Sequence, residues 1–124
     1  MSYSYKELIV WQKARMLAGE IYRASEVFPK HEVYRLTSQM RRAAISVASI
    51  AEGQGRLTRG EFQQFLGHSR DSLLELETQL TIAMGLQYIT PEELACLESK
   101  TSEVNRLLNG LIDSLRARTK AGRA

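Results

Sequence analysis

Three short stretches of turn-forming residues divide the chain, and the segments between them repeat apolar residues at helical spacing. The stretches are Phe28-Pro29-Lys30, Gly53-Gln54-Gly55 and Gln87-Tyr88-Ile89-Thr90-Pro91. Apolar side chains recur every three or four positions between them, which favours amphipathic helices, and no strand-like alternation competes. Three breaks in such a pattern predict four helices. We expect the helices at about residues 6–27, 33–53, 58–86 and 91–118.

Two of these helices begin with clear capping signals. Thr58 and Glu61 have the spacing of a capping box. The run Thr90-Pro91-Glu92-Glu93 offers an N-cap, a proline at the first helical position and two acids at the positive end of the helix dipole. Short connections between long amphipathic helices predict an all-α fold, an antiparallel up-down-up-down four-helix bundle. This bundle is expected to fill residues 1–118 as one domain, with residues 119–124 as a frayed basic tail.

The composition of the 124 residues is that of an ordinary globular domain, with 44% apolar and 25% charged residues. The lone Cys96 offers neither a disulfide nor a metal-ligand set, and it is interpreted as a packing residue. The N-terminal residues lack the pattern of a signal peptide, and no apolar run approaches the ~20 residues that span a bilayer. We expect a cytoplasmic protein without a membrane, metal, cofactor or small-molecule ligand.

The charge balance is mildly basic, with 17 Lys and Arg against 14 Asp and Glu, a net charge of +3. This excess fits a nucleic-acid partner without requiring one. Arg56 and Arg59, beside the start of the third helix, could hold a phosphate there; the alternative is a solvated turn. Arg116 and Arg118 add two further candidate phosphate contacts near the end of the fourth helix.

A second arginine cluster lies on the second helix. Arg41 and Arg42, with Arg35 near them on the helical wheel, either contact RNA or pair with acids on a neighbouring helix or subunit. Aromatic residues that could stack on bases are sparse, and Tyr34 beside Arg35 is the best case.

Several apolar residues point away from the predicted core and are candidates for a subunit interface, although isolated exposed apolar residues are also normal on monomers. These residues are Ile9, Met16, Ile45, Ile82 and Leu86.

Glu77 is a charged residue at an apolar position, because the helical wheel places it on the apolar stripe of the third helix. We predict that Glu77 is a structural buried acid with Arg41, Arg42 or a helix cap as its partner.

No residue pattern predicts an enzyme. His31 and His68 lie in different segments, and the chain has no pair of Glu-x-x-His motifs for a helical di-metal site. The run Gly53-Gln54-Gly55-Arg56 follows a helix instead of a strand and lacks the Gly-Lys-Ser/Thr of a phosphate-binding loop. We therefore expect no catalytic residues.

Five blocks of sequence resemble the bacterial four-helix-bundle family of 23S ribosomal RNA intervening-sequence proteins. The blocks are Glu7-Leu8-Ile9-Val10-Trp11-Gln12-Lys13-Ala14, Leu36-Thr37-Ser38-Gln39-Met40-Arg41-Arg42-Ala43-Ala44, Ile50-Ala51-Glu52-Gly53, Leu74-Glu75-Leu76-Glu77-Thr78-Gln79-Leu80 and Leu107-Leu108-Asn109-Gly110-Leu111-Ile112. The resemblance implies a small non-enzymatic bundle that assembles as a ring, usually a pentamer. A related bundle, the accessory variability protein of diversity-generating retroelements, is a basic pentamer that binds nucleic acid and a reverse transcriptase. The resemblance thus implies nucleic-acid binding.

The chain departs from the family pattern at one place. Family members commonly carry a proline and an asparagine just ahead of Ile-Ala-Glu-Gly, whereas Ser46-Val47-Ala48-Ser49 leads directly into Ile50 and is one residue shorter. Loss of one residue turns the rest of a helix by about 100°. The departure leaves open the ring size and which of Ile45, Ser49 and Glu52 faces a neighbouring subunit.

Two functions remain open from the sequence, and a third, a catalytic bundle, would require an unexpected cluster around Glu77 or His68. The first is a homo-oligomer that binds RNA or DNA, in which a ring multiplies the modest charge of each chain. The second is a scaffold whose arginines and outward apolar residues bind a protein partner, with the net charge incidental.

Overall fold

The computed structural model describes residues 5–49 and 58–123, and it describes side chains over residues 9–49 and 58–117. Helices α1 (Tyr5–Ser25), α2 (Leu36–Ala48), α3 (Arg59–Gly85) and α4 (Pro91–Arg123) follow one another, with a 3-10 turn at Lys30–Glu32. Each α-helix packs against the next one in the chain, and α4 packs back against α1. This arrangement confirms the predicted all-α four-helix bundle.

The core consists of one apolar stripe from each helix. On α1 the stripe is Val10, Ala14, Leu17 and Ile21, each at most 2% exposed. The stripe of α4 follows the predicted alternation of three and four residues from Leu97 to Leu115. It includes one polar residue, Thr101, whose hydroxyl donates to the Leu97 carbonyl at 2.7 Å and so is satisfied inside the helix.

The predicted capping box at the start of α3 is present, and the predicted N-cap Thr90 forms a second box at the start of α4. At the start of α3, the backbone N–H of Thr58 donates to Glu61 Oε1 at 2.9 Å, and the N–H of Glu61 donates to Thr58 Oγ1 at 3.1 Å. The backbone hydrogen bond from Thr58 holds the pKa of Glu61 below its ordinary value. Thr90 and Glu93 make the same reciprocal pair at the start of α4, at 3.0 and 3.1 Å. Each box satisfies backbone donors that a helix start leaves unpaired.

The helix bounds differ from the expected ones in three places. Helix α1 ends at Ser25, and α2 begins at Leu36, because the intervening loop forms the short 3-10 turn instead of extending either helix. Helix α2 ends at Ala48, with the Ser49 N–H donating to the Ile45 carbonyl, and the predicted continuation to residue 53 lies outside the described residues.

At the other end of the chain, α4 continues to Arg123, so residues 119–123, expected as a frayed tail, are helical. The apolar stripe ends at Leu115, but no proline follows to stop the backbone hydrogen bonds of α4.

A Schellman turn closes α3 and directs the chain into the α3–α4 loop. The N–H of Tyr88 donates to the Ala83 carbonyl and the N–H of Gln87 donates to the Met84 carbonyl, both at 2.9 Å. Gln87 takes the left-handed position of this turn with φ 65, where glycine is the usual residue. The turn places Tyr88 against the other loop at the same end of the bundle.

Tyr88 joins the two loops through Glu32, a buried carboxylate. Its hydroxyl donates to Glu32 Oε2 at 2.8 Å, and its ring lies 5.2 Å from the ring of Phe28. His31 Nε2 is 3.4 Å from the same hydroxyl. The hydrogen bond to Glu32 raises the pKa of Tyr88, because it stabilises the protonated phenol.

We expect Tyr88→Phe to lower the free energy of unfolding by about 1–3 kcal/mol, because Glu32 then keeps a buried oxygen without its donor. Urea unfolding followed by circular dichroism measures the loss, with Tyr34→Phe at a 93% exposed tyrosine as the control. The raised pKa makes the difference between wild type and variant largest below the ordinary tyrosine pKa, about 10, and smaller as pH rises through the folded-state pKa. Equal stability of the two proteins at neutral pH would contradict this role of Tyr88.

Candidate nucleic-acid interface

The predicted arginines fall into two groups that the bundle separates. Because successive helices are antiparallel, the start of α2 lies at the same end as the Tyr88 loop, and the start of α3 lies at the opposite end beside the end of α4. Arg35 therefore belongs to one end, and Arg59 and Arg116 belong to the other. Arg56 lies outside the described residues, and so does the side chain of Arg118.

Arg59 and Arg116 share the face between α3 and α4. Arg70 Nη1 donates to Asn109 Oδ1 at 3.4 Å, which fixes the register of the two helices. At 1.5 Å per residue, Arg59 and Arg116 lie roughly 16 and 10 Å from this contact in the same direction. Both side chains are exposed.

Arg70 belongs to the same row, and the sequence reasoning missed it as a candidate. It follows Arg59 by eleven residues, about three helical turns, so the two side chains project from the same face of α3. This eleven-residue spacing is visible in the sequence and could have indicated that Arg70 belongs with Arg59. Arg59, Arg70 and Arg116 thus form a basic row on one face of the bundle.

Arg41 has a different role from the one predicted, because its donors are used inside the chain. Its Nε donates to Ser25 Oγ at 2.9 Å and its Nη2 donates to the Tyr22 carbonyl at 3.2 Å. Its guanidinium also lies 4.6 Å from the centre of the Tyr22 ring. The Tyr22 carbonyl is in the last turn of α1, where helix carbonyls lack an intrahelical donor and a cation is favoured. Arg41 therefore caps α1 from α2.

Arg35 and Arg42 remain on the surface. Arg42 donates to Ser38 Oγ at 3.4 Å and lines a polar groove between α2 and α3. Ser72 of α3 donates to Ser46 of α2 at 3.0 Å in that groove. The predicted cluster on α2 thus divides into one inward arginine and two outward ones.

Two contacts of an arginine guanidinium group with an aromatic ring, on α1 and α2, were also not predicted from the sequence. Arg15 lies over the Trp11 ring at 4.8 Å, at the i, i+4 spacing that could have indicated it. The contact of Arg41 with Tyr22 joins two helices and has no such local signal. Tyr34, the aromatic residue predicted beside Arg35, is 93% exposed and is available to a ligand.

Four of the five predicted interface residues point outward. Met16 is 61% exposed, and Ile45, Ile82 and Leu86 are about half exposed. Ile9 is partly buried, because it lies one turn before Lys13, whose ion pair with Glu103 places this flank of α1 against α4.

Glu77 is not the buried acid that the helical wheel predicted. Its side chain is only partly buried, and it lines a groove between α3 and α4 with Thr78, Thr81, Glu98 and Ser102. The wheel placed the centre of the stripe too close to Met84, whereas Ala83 is the fully buried residue, so Glu77 lies on the shoulder of the stripe. Neither Arg41 nor Arg42 pairs with it. The buried acid among the described side chains is Glu32.

Other titratable residues take structural or exposed positions. Lys100 pairs with Glu20 across α1 and α4, and this hydrogen bond raises the pKa of Lys100. Cys96 is exposed, contrary to its predicted packing role, because it lies beside the α4 stripe and not on it.

In the described parts of the chain, no group of three His, Cys, Asp or Glu residues could hold a metal ion, and no helix could cross a membrane.

A family model described as 23S rRNA-intervening sequence protein matches residues 6–110 of the chain. Among solved structures, the crystal structure of a protein with unknown function from the S23 ribosomal protein family of Bacteroides thetaiotaomicron matches with a TM-score of 0.77. The two chains are 22% identical, and the match covers 87% of this chain and 98% of that one, which shows a shared fold. No curated protein matches.

We expect Arg41→Ala to lower the free energy of unfolding by about 1–3 kcal/mol, because it removes two hydrogen bonds and a ring contact at the end of α1. Arg41→Lys should recover only part of this loss, since an ammonium cannot reproduce the planar fork. Chemical unfolding measures both variants, with Arg106→Ala at an exposed arginine of α4 as the control. A loss from Arg106→Ala as large as that from Arg41→Ala would contradict the capping role.

Proposed function

The chain belongs to the 23S rRNA-intervening sequence protein family, and we propose that it is a non-enzymatic homo-oligomer that binds nucleic acid. The observation that carries the nucleic-acid part is the basic row of Arg59, Arg70 and Arg116 on one face of the bundle. Arginine suits phosphate because its planar fork donates two parallel hydrogen bonds to phosphate oxygens.

The end of α4 strengthens the basic row. After Asp113 the sequence contains Arg116, Arg118, Lys120 and Arg123 and no acid. Helix α4 continues to Arg123, so its backbone carries these cations away from the acidic start of the same helix. Cations near a helix C-terminus are also favoured by the helix dipole. A phosphate backbone that follows α4 would therefore meet positive charge over its last turns.

We propose RNA as the nucleic acid, since the family is described by its relation to 23S rRNA. The charge of +3 per chain is small, but five copies in a ring carry about +15, which attracts polyanions over a longer range. The outward Met16, Ile45, Ile82 and Leu86 support the oligomer, because burial of exposed apolar area favours association.

The proposal includes no catalytic role. The two histidines are far apart in the bundle: His31 lies in the loop beside Tyr88 and Glu32, and His68 is exposed on α3. Among the described side chains, neither histidine has the nucleophile partner or ligand set that a catalytic site requires.

We expect the variant with both Arg59→Gln and Arg116→Gln to bind a fluorescein-labelled single-stranded RNA about tenfold or more weakly at low salt. Neutralising two phosphate contacts should also reduce the slope of log affinity against log salt by about 1–2. Fluorescence anisotropy across a salt series measures both quantities. The matched control is Arg106→Gln, an exposed arginine in the middle of α4. Salt-independent binding, or equal effects of the control, would argue against the basic row as the RNA interface.

Light scattering of the purified protein tests the oligomer directly, with a mass near five subunits as the expected result. A monomer at all concentrations would refute the oligomer. Salt-independent capture of a specific protein, with no RNA binding, would favour the scaffold function instead.

A further inference from the structure

We propose that the outer face of α2 in one copy docks into the acidic groove between α3 and α4 of a second copy. The basic face of α2 comprises Arg35, Ser38, Arg42 and Ile45. The acidic groove comprises Glu77, Thr78, Thr81, Glu98 and Ser102. This inference rests on the proposed homo-oligomer and names the surfaces that would form its contacts.

Charge is segregated along the chain. Residues 33–49 contain three arginines and no acid, whereas residues 71–99 contain six acids and neither lysine nor arginine. The first segment includes α2, and the second covers the end of α3 and the start of α4. Two surfaces of opposite sign therefore lie on one molecule.

The basic face of α2 is a single stripe. Ser38, Arg42 and Ile45 are spaced by four and three residues, so they project from the same side of α2, and Arg35 is the residue just before the helix. Arg35, Arg42 and Ile45 are exposed, with Ile45 at 47%. Ile45 lies at the end of this stripe, one turn after Arg42, so exposed apolar area and a guanidinium group are adjacent there.

The acidic groove has matching features. Glu77 and Glu98 line it from α3 and α4, together with Thr78, Thr81 and Ser102. Leu74, about one turn before Glu77 on α3, is 54% exposed and offers apolar area at its edge. The groove thus carries charge of the opposite sign to the basic face, and Leu74 offers an apolar side chain on which Ile45 could pack.

Within the described part of one copy, no ion pair neutralises these charges, although Glu75 of the same copy lines the polar groove beside Arg42. Among the described side chains the ion pairs are Lys13–Glu103, His31–Glu32 and Lys100–Glu20, so Arg35, Arg42, Glu77 and Glu98 make none. Helix α2 packs against α1 and α3 and has no contact with α4. One chain therefore cannot bring its own basic face onto its own acidic groove.

A contact between two different surfaces is heterologous, so every copy can use both surfaces at once and copies can close into a ring. Exposed ion pairs contribute only about 0–1 kcal/mol each. The charges would select the register and the correct face, while Ile45 and Leu74 supply apolar burial.

Charge reversal tests the contact in the full-length protein. We expect Arg42→Glu and Glu98→Arg each to raise the concentration for half-assembly at least tenfold, because each brings like charges together. The double variant with both changes exchanges the signs across the contact and should restore assembly to within about threefold of wild type. Sedimentation velocity at low salt measures the distribution, and Arg106→Glu is the matched control. Arg35→Glu tests the same stripe, and thermal unfolding confirms that each variant folds.

The results of these experiments distinguish failure of the docking contact from failure of the proposed function. A wild-type protein that stays monomeric overturns the oligomer and the docking contact together. An oligomeric wild type that neither single reversal weakens, or a double variant that stays as dissociated as the single ones, overturns the docking contact alone. If Arg42→Glu weakens RNA binding and leaves the mass unchanged, the basic face is an RNA contact and the docking contact is refuted.

Discussion

The bundle depends on the burial of one continuous apolar stripe on each of its four helices. Leu66, Leu73 and Leu80 of α3 and Leu108 of α4 are fully buried, and most of the apolar area removed from water lies in this core. Burial contributes about 25 cal/mol for each Å² of apolar surface, so the summed burial of the core side chains far exceeds the contribution of any single polar contact on the outside. Because the core fixes the rotation of every helix, it also decides which charged side chains share a face. The basic row and the acidic groove are consequences of that rotation.

Polar interactions act mainly at the ends of the bundle, where helices stop and backbone groups lose their partners. Capping boxes satisfy backbone N–H groups at the starts of α3 and α4, and Arg41 caps the end of α1. The contact of Tyr88 with Glu32 holds two loops together at one end. These polar side chains cap helix ends or join loops within the chain. They differ in this from the surface arginines Arg35, Arg42, Arg59 and Arg116. Burial agrees with this division, since Arg41 is partly buried and those four arginines are exposed.

Much of the fold could be predicted from the sequence, because helical spacing and capping signals are local. The four helices, the capping box of α3, the N-cap Thr90 and the outward direction of Ile45 followed from positions along one helix. The candidate site was harder to predict, because its contacts join different helices. The capping role of Arg41 depends on where α1 ends beside α2. No rule based on residues close in sequence predicts that position. The error at Glu77 has a similar origin, since the centre of a stripe shifts with the packing of its neighbours.

The order of packing along the chain has a consequence for how the protein reaches its fold. Three of the four helix contacts join neighbours in sequence, and only the contact between α1 and α4 joins distant segments. Folds rich in such local contacts form quickly, because little loop entropy is lost before each contact is made. During synthesis, α1, α2 and α3 can pack as they emerge, leaving an apolar trough that α4 fills. Lys13 with Glu103 and Glu20 with Lys100 then mark the seam at which the last helix completes the bundle.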